Sequence, residues 1–176
     1  MSSVPLTQPP TGAHASADDA PFDARAFRKV LGRYPTGVTV VATRDAQGVP
    51  VGLTCNSFAS VSLSPPLVLW SLALHASSLP AFLQAPCFSI NFLSAEQAAL
   101  SRRFCAPVID RFAGIEYRSG TEGVPLIAGC AAALECRNEI RHYTGDHVIF
   151  IGRVLRFTDT LLKPLVFAEG RYCALA

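Results

Sequence analysis

The sequence is poor in charge. Only 16% of its 176 residues are Asp, Glu, Lys or Arg, and the formal net charge is +2. It has no run of Lys or Arg and no basic patch with interleaved aromatic residues, so nothing predicts a nucleic-acid partner. Half of the residues are hydrophobic. This composition predicts a globular protein, part of whose apolar surface is covered by another subunit.

Long apolar runs are also missing. None approaches the roughly 18 residues that a membrane-spanning helix needs, so we expect no membrane association. Residues 1–21 have neither the basic start nor the apolar centre of a signal peptide, and we expect them to be a disordered lead-in. Residues 22–176 are expected to form one domain. The six cysteines include no C-x-x-C pair, which favours a reduced, cytoplasmic chain.

Several common site motifs are absent. The sequence contains no G-x-G-x-x-G, no G-x-x-x-x-G-K-[ST], no G-x-S-x-G and no H-E-x-x-H. His142 and His147 flank a turn, with Cys136 and Asp146 nearby, but their spacing matches no zinc pattern. We therefore predict no metal site.

The patterns that are present predict mostly strands. Asp23 is a suitable N-cap for a helix over residues 24–33, with Phe22 and Phe27 placed as a hydrophobic staple. Further helices are predicted over 77–84 and 94–104. The predicted strands are 37–43, 51–57, 67–74 (buried on both faces), 87–93, 115–118, 129–143, 147–157, 164–169 and 171–174. These strands, linked by hairpins and accompanied by a few short helices, predict a mainly β fold, an antiparallel β-barrel with short helices.

The stretch from Leu53 to Leu74 is unusual because small hydroxyl and amide side chains precede an apolar strand. Small polar side chains let a flat ligand approach the backbone and offer it hydrogen bonds. A half-buried strand rich in Ser and Thr explains the same pattern without a ligand. Both interpretations stay open on the pattern alone.

Several short motifs together resemble one known family. They are Phe27-Arg28, Pro35-Thr36-Gly37-Val38, Thr54-Cys55-Asn56-Ser57-Phe58, Ser60-Val61-Ser62-Leu63-Ser64-Pro65-Pro66-Leu67, Gly145-Asp146-His147 and Gly170-Arg171-Tyr172. In this order and spacing, from residue 22 to the C-terminus, they resemble the short-chain NAD(P)H:flavin reductases that serve two-component flavin monooxygenases. The resemblance implies a homodimeric, FMN-binding split barrel of antiparallel Greek-key type.

The resemblance also implies the residues of a flavin site. Those expected along the flavin ring and ribityl chain are Pro35, Thr36, Gly37, Thr54, Cys55, Asn56, Ser57 and Ser60. Ser71, Leu72, Ser77 and Ser78 are expected near the ribityl chain and phosphate, and Phe104 over the flavin. Ser77 and Ser78 also precede a predicted helix, where a plain N-cap is the alternative role. The basic partner of the phosphate stays open among His75, Arg102, Arg103 and Arg111.

The nicotinamide site is implied in the same way. His147 is expected to orient the pyridine nucleotide as the catalytic residue, with Arg171 and Tyr172 beside it. Without the resemblance, a structural histidine at the start of a strand is the simpler interpretation of His147. Tyr172 and Phe104 can equally fill the core.

The expected function is the reduction of FMN or FAD by NADH or NADPH, with hydride passing from nicotinamide C4 to flavin N5. The reduced flavin would then reach a separate monooxygenase. A flavin-binding module without NAD(P)H turnover and a non-catalytic, partner-binding β-barrel are the alternatives. The choice of flavin, of pyridine nucleotide and of oxygenase stays open.

Overall fold

Twelve strands and three short α-helices make up the described part of the chain. The computed structural model describes residues 22–108, 110–173 and 175, so the predicted lead-in over 1–21 lies outside the described residues. The helices are α1 (Ala24–Leu31), α2 (Leu79–Gln84) and α3 (Ala98–Cys105). The strands are β1 (Thr36–Gly37), β2 (Thr39–Arg44), β3 (Pro50–Cys55), β4 (Ala59–Leu63), β5 (Pro66–Ala73), β6 (Cys87–Phe92), β7 (Tyr117–Ser119), β8 (Pro125–Ile127), β9 (Ala132–Thr144), β10 (His147–Asp159), β11 (Val166–Ala168) and β12 (Arg171–Cys173). Within these ranges, no helix is long and apolar enough to cross a membrane.

Seven antiparallel strands form the main sheet, in the order β3-β2-β6-β9-β10-β5-β4. Its two edge strands, β3 and β4, follow each other in the chain. Small sheets of β1-β11-β12 and β7-β8 lie beside it. The predicted antiparallel, mainly β barrel with short helices is confirmed.

One core fills the curled main sheet. Side chains from β2, β3, β5, β6, β9 and β10 meet in it, together with Phe82 of α2. Trp70 is fully buried at its centre and stacks on Phe150, with ring centroids 4.7 Å apart. Because β3 at one edge of the sheet and β5, next to the other edge, share this core, the sheet closes on itself like a barrel whose seam lies between β3 and β4.

A second core lies outside the barrel, under α3. It joins the opposite face of β2 to Phe104, Phe112, Ile127 and Leu165. Gly52 of β3 makes room for it, since a Cβ there would lie 3.0 Å from the Phe104 ring and 3.2 Å from the Phe112 ring.

The first helix begins as predicted. The Asp23 carboxylate accepts hydrogen bonds from the backbone N–H groups of Arg25 and Ala26, and the Phe22 and Phe27 rings meet edge-on at 5.2 Å. The helix ends at Leu31, earlier than predicted, because Gly32 already serves as its C-cap. Its apolar stripe of Phe27, Val30, Leu31 and Tyr34 is exposed.

Three other predictions need correction. Strand β5 is not buried on both faces: its inward side chains are buried, and the alternate ones are half-exposed. The predicted strand 37–43 is interrupted at Val38, so Thr36–Gly37 pairs with β11 while β2 joins the main sheet. The Ser94–Gln97 capping box is present, but it opens a 3-10 turn before α3.

Candidate functional site

The seam of the barrel is bridged by the link between β3 and β4. Residues 56–58 leave the sheet, and the Ser57 side chain takes over its hydrogen bonding. Its Oγ accepts the Ser71 backbone N–H at 2.8 Å and donates to the Ser71 carbonyl at 3.3 Å. The Ser57 hydroxyl therefore replaces the backbone hydrogen bonds that a neighbouring strand would make to β5 at Ser71. The backbone of the link turns away from the sheet.

A cavity of about 160 Å³ opens beside this link. Its wall combines the predicted Pro35, Thr36, Gly37 and Asn56 with Tyr34, Thr39, Phe58 and Phe92. The Thr36 Oγ1 atom is buried and has no hydrogen-bond partner in the described part of the chain. A buried, unpaired hydroxyl costs free energy. The residues of this wall thus include a buried hydroxyl that lacks a hydrogen-bond partner.

His147 lies on the same face of the main sheet as Ser71. The register of β5 and β10 pairs His147 with Ala73 and Ile149 with Ser71. The side chains between them, Val148 and Leu72, are buried in the barrel core. His147 and Ser71 are therefore diagonal neighbours on the outer face, roughly 7–8 Å apart. The sheet brings the predicted nicotinamide residue close to the Ser57–Ser71 bridge.

The imidazole of His147 has a close carboxylate partner. Its Nδ1 lies 2.5 Å from Oδ1 of Asp146 in the β9–β10 turn. The hydrogen bond from His147, and then the charge of that ring, lower the pKa of the Asp146 carboxyl. Both side chains are accessible, at 44% exposed for His147 and 87% for Asp146.

A second cavity, of about 210 Å³, brings Ser77 and Ser78 together with Arg111. Arg111 donates from Nη1 to the Gly52 carbonyl at 2.9 Å and from Nε to the Ala106 carbonyl at 3.1 Å. Helix α2 has only six residues, and the Ser78 side chain does not cap it. The positive group in this cavity is therefore the Arg111 side chain.

The other basic candidates are engaged elsewhere. The Arg102 guanidinium lies over the Tyr172 ring at 5.6 Å, and Arg103 donates to the Ala113 carbonyl at 2.6 Å. His75 follows β5 and lies near Asp146, whose pKa it helps to lower. Of the four candidates, Arg111 is the one in the wall of the Ser77–Ser78 cavity.

Four predicted flavin residues have side chains that point away from the link and its cavity, and a fifth is buried beneath the link. Phe104 is 1% exposed in the core under α3, and Leu72 is 2% exposed in the barrel core. Thr54 donates to the Ser101 carbonyl of α3 at 2.6 Å. Ser60 pairs with the inward-facing Val68, so it lies on the opposite face of the sheet from Ser71. The fifth, Cys55, is buried in the barrel core with its Sγ 3.0 Å from Oγ of Ser57, and this burial raises the pKa of its thiol.

Packing also engages the predicted C-terminal residues. The Tyr172 hydroxyl donates to Oγ of the buried Ser101 at 2.8 Å, and its ring packs edge-on against Phe167. This favours the core role that the sequence left open for Tyr172. Arg171 is exposed, with its Nη2 3.8 Å from Glu169.

Sequence reasoning missed the aromatic wall of the first cavity. Phe58 and Phe92 meet edge-on there, with centroids 4.9 Å apart, and Tyr34 completes the wall. Phe92 sits at the end of an otherwise buried strand, and no local signal separates such a residue from core. In the described residues, no three His, Cys, Asp or Glu side chains group as a metal site would require.

Comparison with known proteins agrees with this geometry. Residues 31–176 match the family model of the flavin reductase like domain. The chain is 47% identical over 150 residues to the FMN reductase (NADH) SmoA of Agrobacterium fabrum, covering 85% of each chain. It is 40% identical over 166 residues to HsaB, the reductase subunit of a flavin-dependent monooxygenase from Rhodococcus jostii, covering 94% of this chain and 84% of HsaB.

A solved structure is similar in the same way. The NADH:FAD oxidoreductase SgcE6 of Streptomyces globisporus, in complex with NAD and FAD fragments, superposes with a TM-score of 0.81 at 39% identity, covering 85% of this chain and 91% of that one. The chain spans about half the length of another relative, a Rhizobium meliloti protein named "Probable flavin reductase", at 46% identity over 151 residues. The match across residues 31–176, with the antiparallel split barrel, establishes that this chain belongs to the flavin reductase like domain family.

Proposed function

We propose that this protein is an NAD(P)H-dependent flavin reductase that reduces FMN or FAD. The observation that carries the proposal is the position of His147. It lies on the same sheet face as Ser71, beside a link whose cavity wall holds an unpaired Thr36 hydroxyl and the Asn56 side chain. The flavin ring and the nicotinamide ring must bind next to each other, and these neighbouring groups offer them adjacent binding positions.

The relatives support the choice of reactants. SmoA is named as an FMN reductase that uses NADH, and SgcE6 is an NADH:FAD oxidoreductase. We carry both flavins over to this chain, together with NADH or NADPH as the reductant. HsaB is the reductase subunit of a flavin-dependent monooxygenase, which supports a separate monooxygenase as the recipient of the reduced flavin.

The flavin ring is proposed to lie against Pro35, Thr36, Gly37, Asn56 and the Ser57–Ser71 bridge. The residues fit a flavin because the exposed Asn56 amide lies next to aromatic surface and the buried Thr36 hydroxyl has no hydrogen-bond partner of its own. Ser60, Thr54, Leu72 and Phe104 have at most supporting roles or backbone contacts, since their side chains face elsewhere. The buried Cys55 thiol supports the site through its contact with Ser57.

Arg111 is proposed as the partner of the flavin phosphate. It shares a cavity with Ser77 and Ser78, and two carbonyl hydrogen bonds hold its guanidinium in place. In the described residues its Nη2 forms no hydrogen bond, which leaves donors for an anion. A planar guanidinium suits a phosphate better than the flexible ammonium of Lys does.

The bound flavin and nicotinamide supply the hydride transfer itself, from nicotinamide C4 to flavin N5. The protein has to bind the rings face to face, exclude water and stabilise the negative charge that builds on the flavin. The Asn56 amide and the backbone N–H groups of the link are the proposed donors for that charge. In this proposal His147 orients the nicotinamide, and Arg171 is an exposed cation beside it. No general base is needed.

The proposed assembly is a cytoplasmic homodimer. The outer face of β5 and β10 carries Leu67, Leu69, Ile149 and Ile151, which are only half-buried, and it continues directly into the site at Ser71. An apolar face beside a ligand site is typical of a subunit interface that helps to form the site. A second copy would shelter both.

One anaerobic experiment tests the proposal. Each flavin is mixed in excess with the protein and with NADH or NADPH, and bleaching of the oxidised flavin band is followed over time. We expect catalytic bleaching with at least one of the four combinations. If a flavin binds but is not bleached, the result supports a flavin-binding module without NAD(P)H turnover. If neither flavin binds, it supports a non-catalytic, partner-binding β-barrel.

The His147→Ala variant tests the nicotinamide assignment. The KM for NADH is expected to rise while the Kd for flavin stays unchanged, because His147 is outside the cavity that holds Thr36 and Asn56. An unchanged KM for NADH would contradict the role of His147.

A further inference from the structure

The thiol of Cys55 lies directly beneath the link between β3 and β4. Cys55 is the last residue of β3, where its carbonyl accepts the Thr39 hydroxyl at 2.8 Å, and its side chain is buried in the barrel core. Because burial raises the pKa of the thiol, the group keeps its proton at neutral pH. In the described residues, the hydrogen-bond partner of its Sγ is Oγ of Ser57 at 3.0 Å. The strand therefore holds a protonated thiol against the Ser57 hydroxyl.

The Ser57 hydroxyl has three partners, which are the Cys55 thiol, the Ser71 N–H and the Ser71 carbonyl. A hydroxyl can donate one hydrogen bond and accept two. A carbonyl oxygen is a better acceptor than a thiol sulfur, so the hydroxyl proton is donated to the Ser71 carbonyl. The thiol proton and the Ser71 N–H are then both donated to Oγ. This arrangement uses every donor and acceptor position of the hydroxyl within the protein.

We propose that Cys55 and Ser57 are positioning residues for the flavin, and that neither side chain forms a hydrogen bond to it. The thiol orients the Ser57 hydroxyl toward β5, and the hydroxyl fixes the link on both sides of Ser71. Asn56, between the two residues, is thereby held in the wall of the cavity that it lines. The link then contacts the flavin through the Asn56 amide and through backbone N–H groups. This role rests on the proposed flavin site.

Flavin affinity of three cysteine variants tests the positioning role. Cys55→Ala removes the thiol donor and should raise the Kd of the bound flavin about threefold to tenfold, the loss of one hydrogen bond. Cys55→Ser replaces the thiol by another donor and should keep the Kd within about twofold of the wild type. Cys130→Ala removes a buried thiol from the core under α3 and should leave the Kd unchanged, as a control for the loss of a buried sulfur.

A double variant shows whether Cys55 acts through Ser57. Ser57→Ala removes the hydroxyl and should weaken flavin binding at least as much as Cys55→Ala does. In the Ser57→Ala background, Cys55→Ala should have no further effect on the Kd, because the group through which it acts is already gone. A thiol that only filled the core would add its own loss in that background.

The S–H stretching band in the infrared spectrum gives a readout that does not depend on turnover. This band moves to lower frequency when a thiol donates a hydrogen bond, and the Cys55 band is assigned by its loss in Cys55→Ser. In Ser57→Ala it should move to higher frequency. In the wild type it should stay in place when FMN or FAD is added, because the Ser57 hydroxyl keeps the same partners.

The outcomes separate this inference from the proposed function. A wild type that binds neither flavin overturns both. Flavin binding that follows these expectations without bleaching by NADH or NADPH supports the inference and overturns only the proposed reduction. The inference alone is overturned if Cys55→Ala binds flavin as the wild type does, if Cys55→Ser binds no better than Cys55→Ala, or if the effect of Cys55→Ala persists in the Ser57→Ala background. It is equally overturned by an S–H band that Ser57→Ala does not move, or by one that shifts when flavin binds to the wild type.

Discussion

Asn56 has the side chain in the link between β3 and β4 that is most available for hydrogen bonding to a ligand. It is exposed, lines the cavity beside Thr36 and forms no side-chain hydrogen bond within the described residues. Asn56→Ala should therefore weaken flavin binding by about 1–3 kcal/mol while leaving the folded protein as stable as before. Fluorescence titration of FMN and FAD measures the first effect, and thermal unfolding without flavin measures the second.

A suitable control for Asn56→Ala is Gln47→Ala. Gln47 is an exposed amide in the β2–β3 turn, at the other end of β3 from the link. Its removal should change neither flavin affinity nor stability. If Asn56→Ala binds both flavins as the wild type does, the amide is not a flavin contact.

Glu135 shows what a buried charge does for this fold. It is 4% exposed, and its carboxylate accepts from both the backbone N–H and the hydroxyl of Thr121 at 2.6 Å. Burial by itself would raise the pKa of the carboxyl. The two hydrogen bonds and the guanidinium groups of Arg156 and Arg118 outweigh that effect, and the pKa is lowered. The carboxylate thereby ties the turn after β7 to β9.

A pH dependence of stability follows from that lowered pKa. Glu135 stabilises the fold fully above its unfolded-state pKa of about 4.3, and this contribution disappears as the pH falls through the lower folded-state value. Glu135→Gln should lose about 1–3 kcal/mol of unfolding free energy at pH 7, and the difference from wild type should shrink below about pH 4. Urea unfolding at several pH values measures it, with the exposed Glu96→Gln as control. A difference that is constant down to pH 3 would contradict the assignment.

At the scale of elements, strand β10 bends over the barrel core at Gly152. The register with β9 shifts between Ile151 and Gly152, and a Cβ at Gly152 would collide with the end of the Phe88 ring and lie 3.0 Å from the Cys136 Cβ. Gly152→Ala should accordingly cost about 1–3 kcal/mol through overpacking. The urea midpoint at constant m-value measures the loss.

Two further variants test the cause of that loss. Gly32→Ala is the matched control, because its Cβ would meet only backbone atoms at 3.5 Å or more and its φ of −65° suits any residue. Its stability should stay within about 0.5 kcal/mol of wild type. Phe88→Leu combined with Gly152→Ala should recover part of the loss, and a purely additive double variant would exclude the clash with the Phe88 ring.

Local signals predicted elements far better than they predicted faces. The Asp23 cap, the Phe22–Phe27 staple and the turn between His142 and His147 depend on neighbours within a few residues, and all of them are present. The apolar run of β5 was taken to be buried on both faces, but only its inward side chains are. An outer face that packs against another surface has the same composition as a core face, so the sequence pattern alone does not distinguish the two.

The candidate site shows the same limit of local patterns. The resemblance implied residues of the link, Pro35 to Gly37 and His147. In the structure Asn56 of the link shares a cavity with Pro35 to Gly37, Ser57 bonds to Ser71, and His147 neighbours Ser71 on the sheet. The resemblance could not tell that Phe104 and Leu72 point into cores, nor that Arg111 shares a cavity with Ser77 and Ser78. Those facts depend on which side of a strand, or which part of a loop, meets a distant segment.

At the scale of the whole molecule, the structure of a single chain does not explain why some of its apolar side chains are exposed. Leu69 and Ile151 are paired across β5 and β10 on the outer face, and the Ile140 side chain of β9, 43% exposed, lies opposite Ile151. The apolar stripe of α1 is exposed as well. The proposed dimer would remove much of this surface from water, as apolar subunit interfaces do.

Leu69→Arg tests the proposed dimer by putting a charge on that outer face. Burying an unpaired guanidinium in an apolar interface costs several kcal/mol, so the variant should sediment as a monomer of about 18.8 kDa where the wild type sediments at twice that mass. It should also bind flavin more weakly, because the face continues into the site at Ser71. Val49→Arg charges an exposed apolar residue of the β2–β3 turn and should stay dimeric. A monomeric wild type, or a Leu69→Arg variant that still dimerises, would show that this face is not the interface.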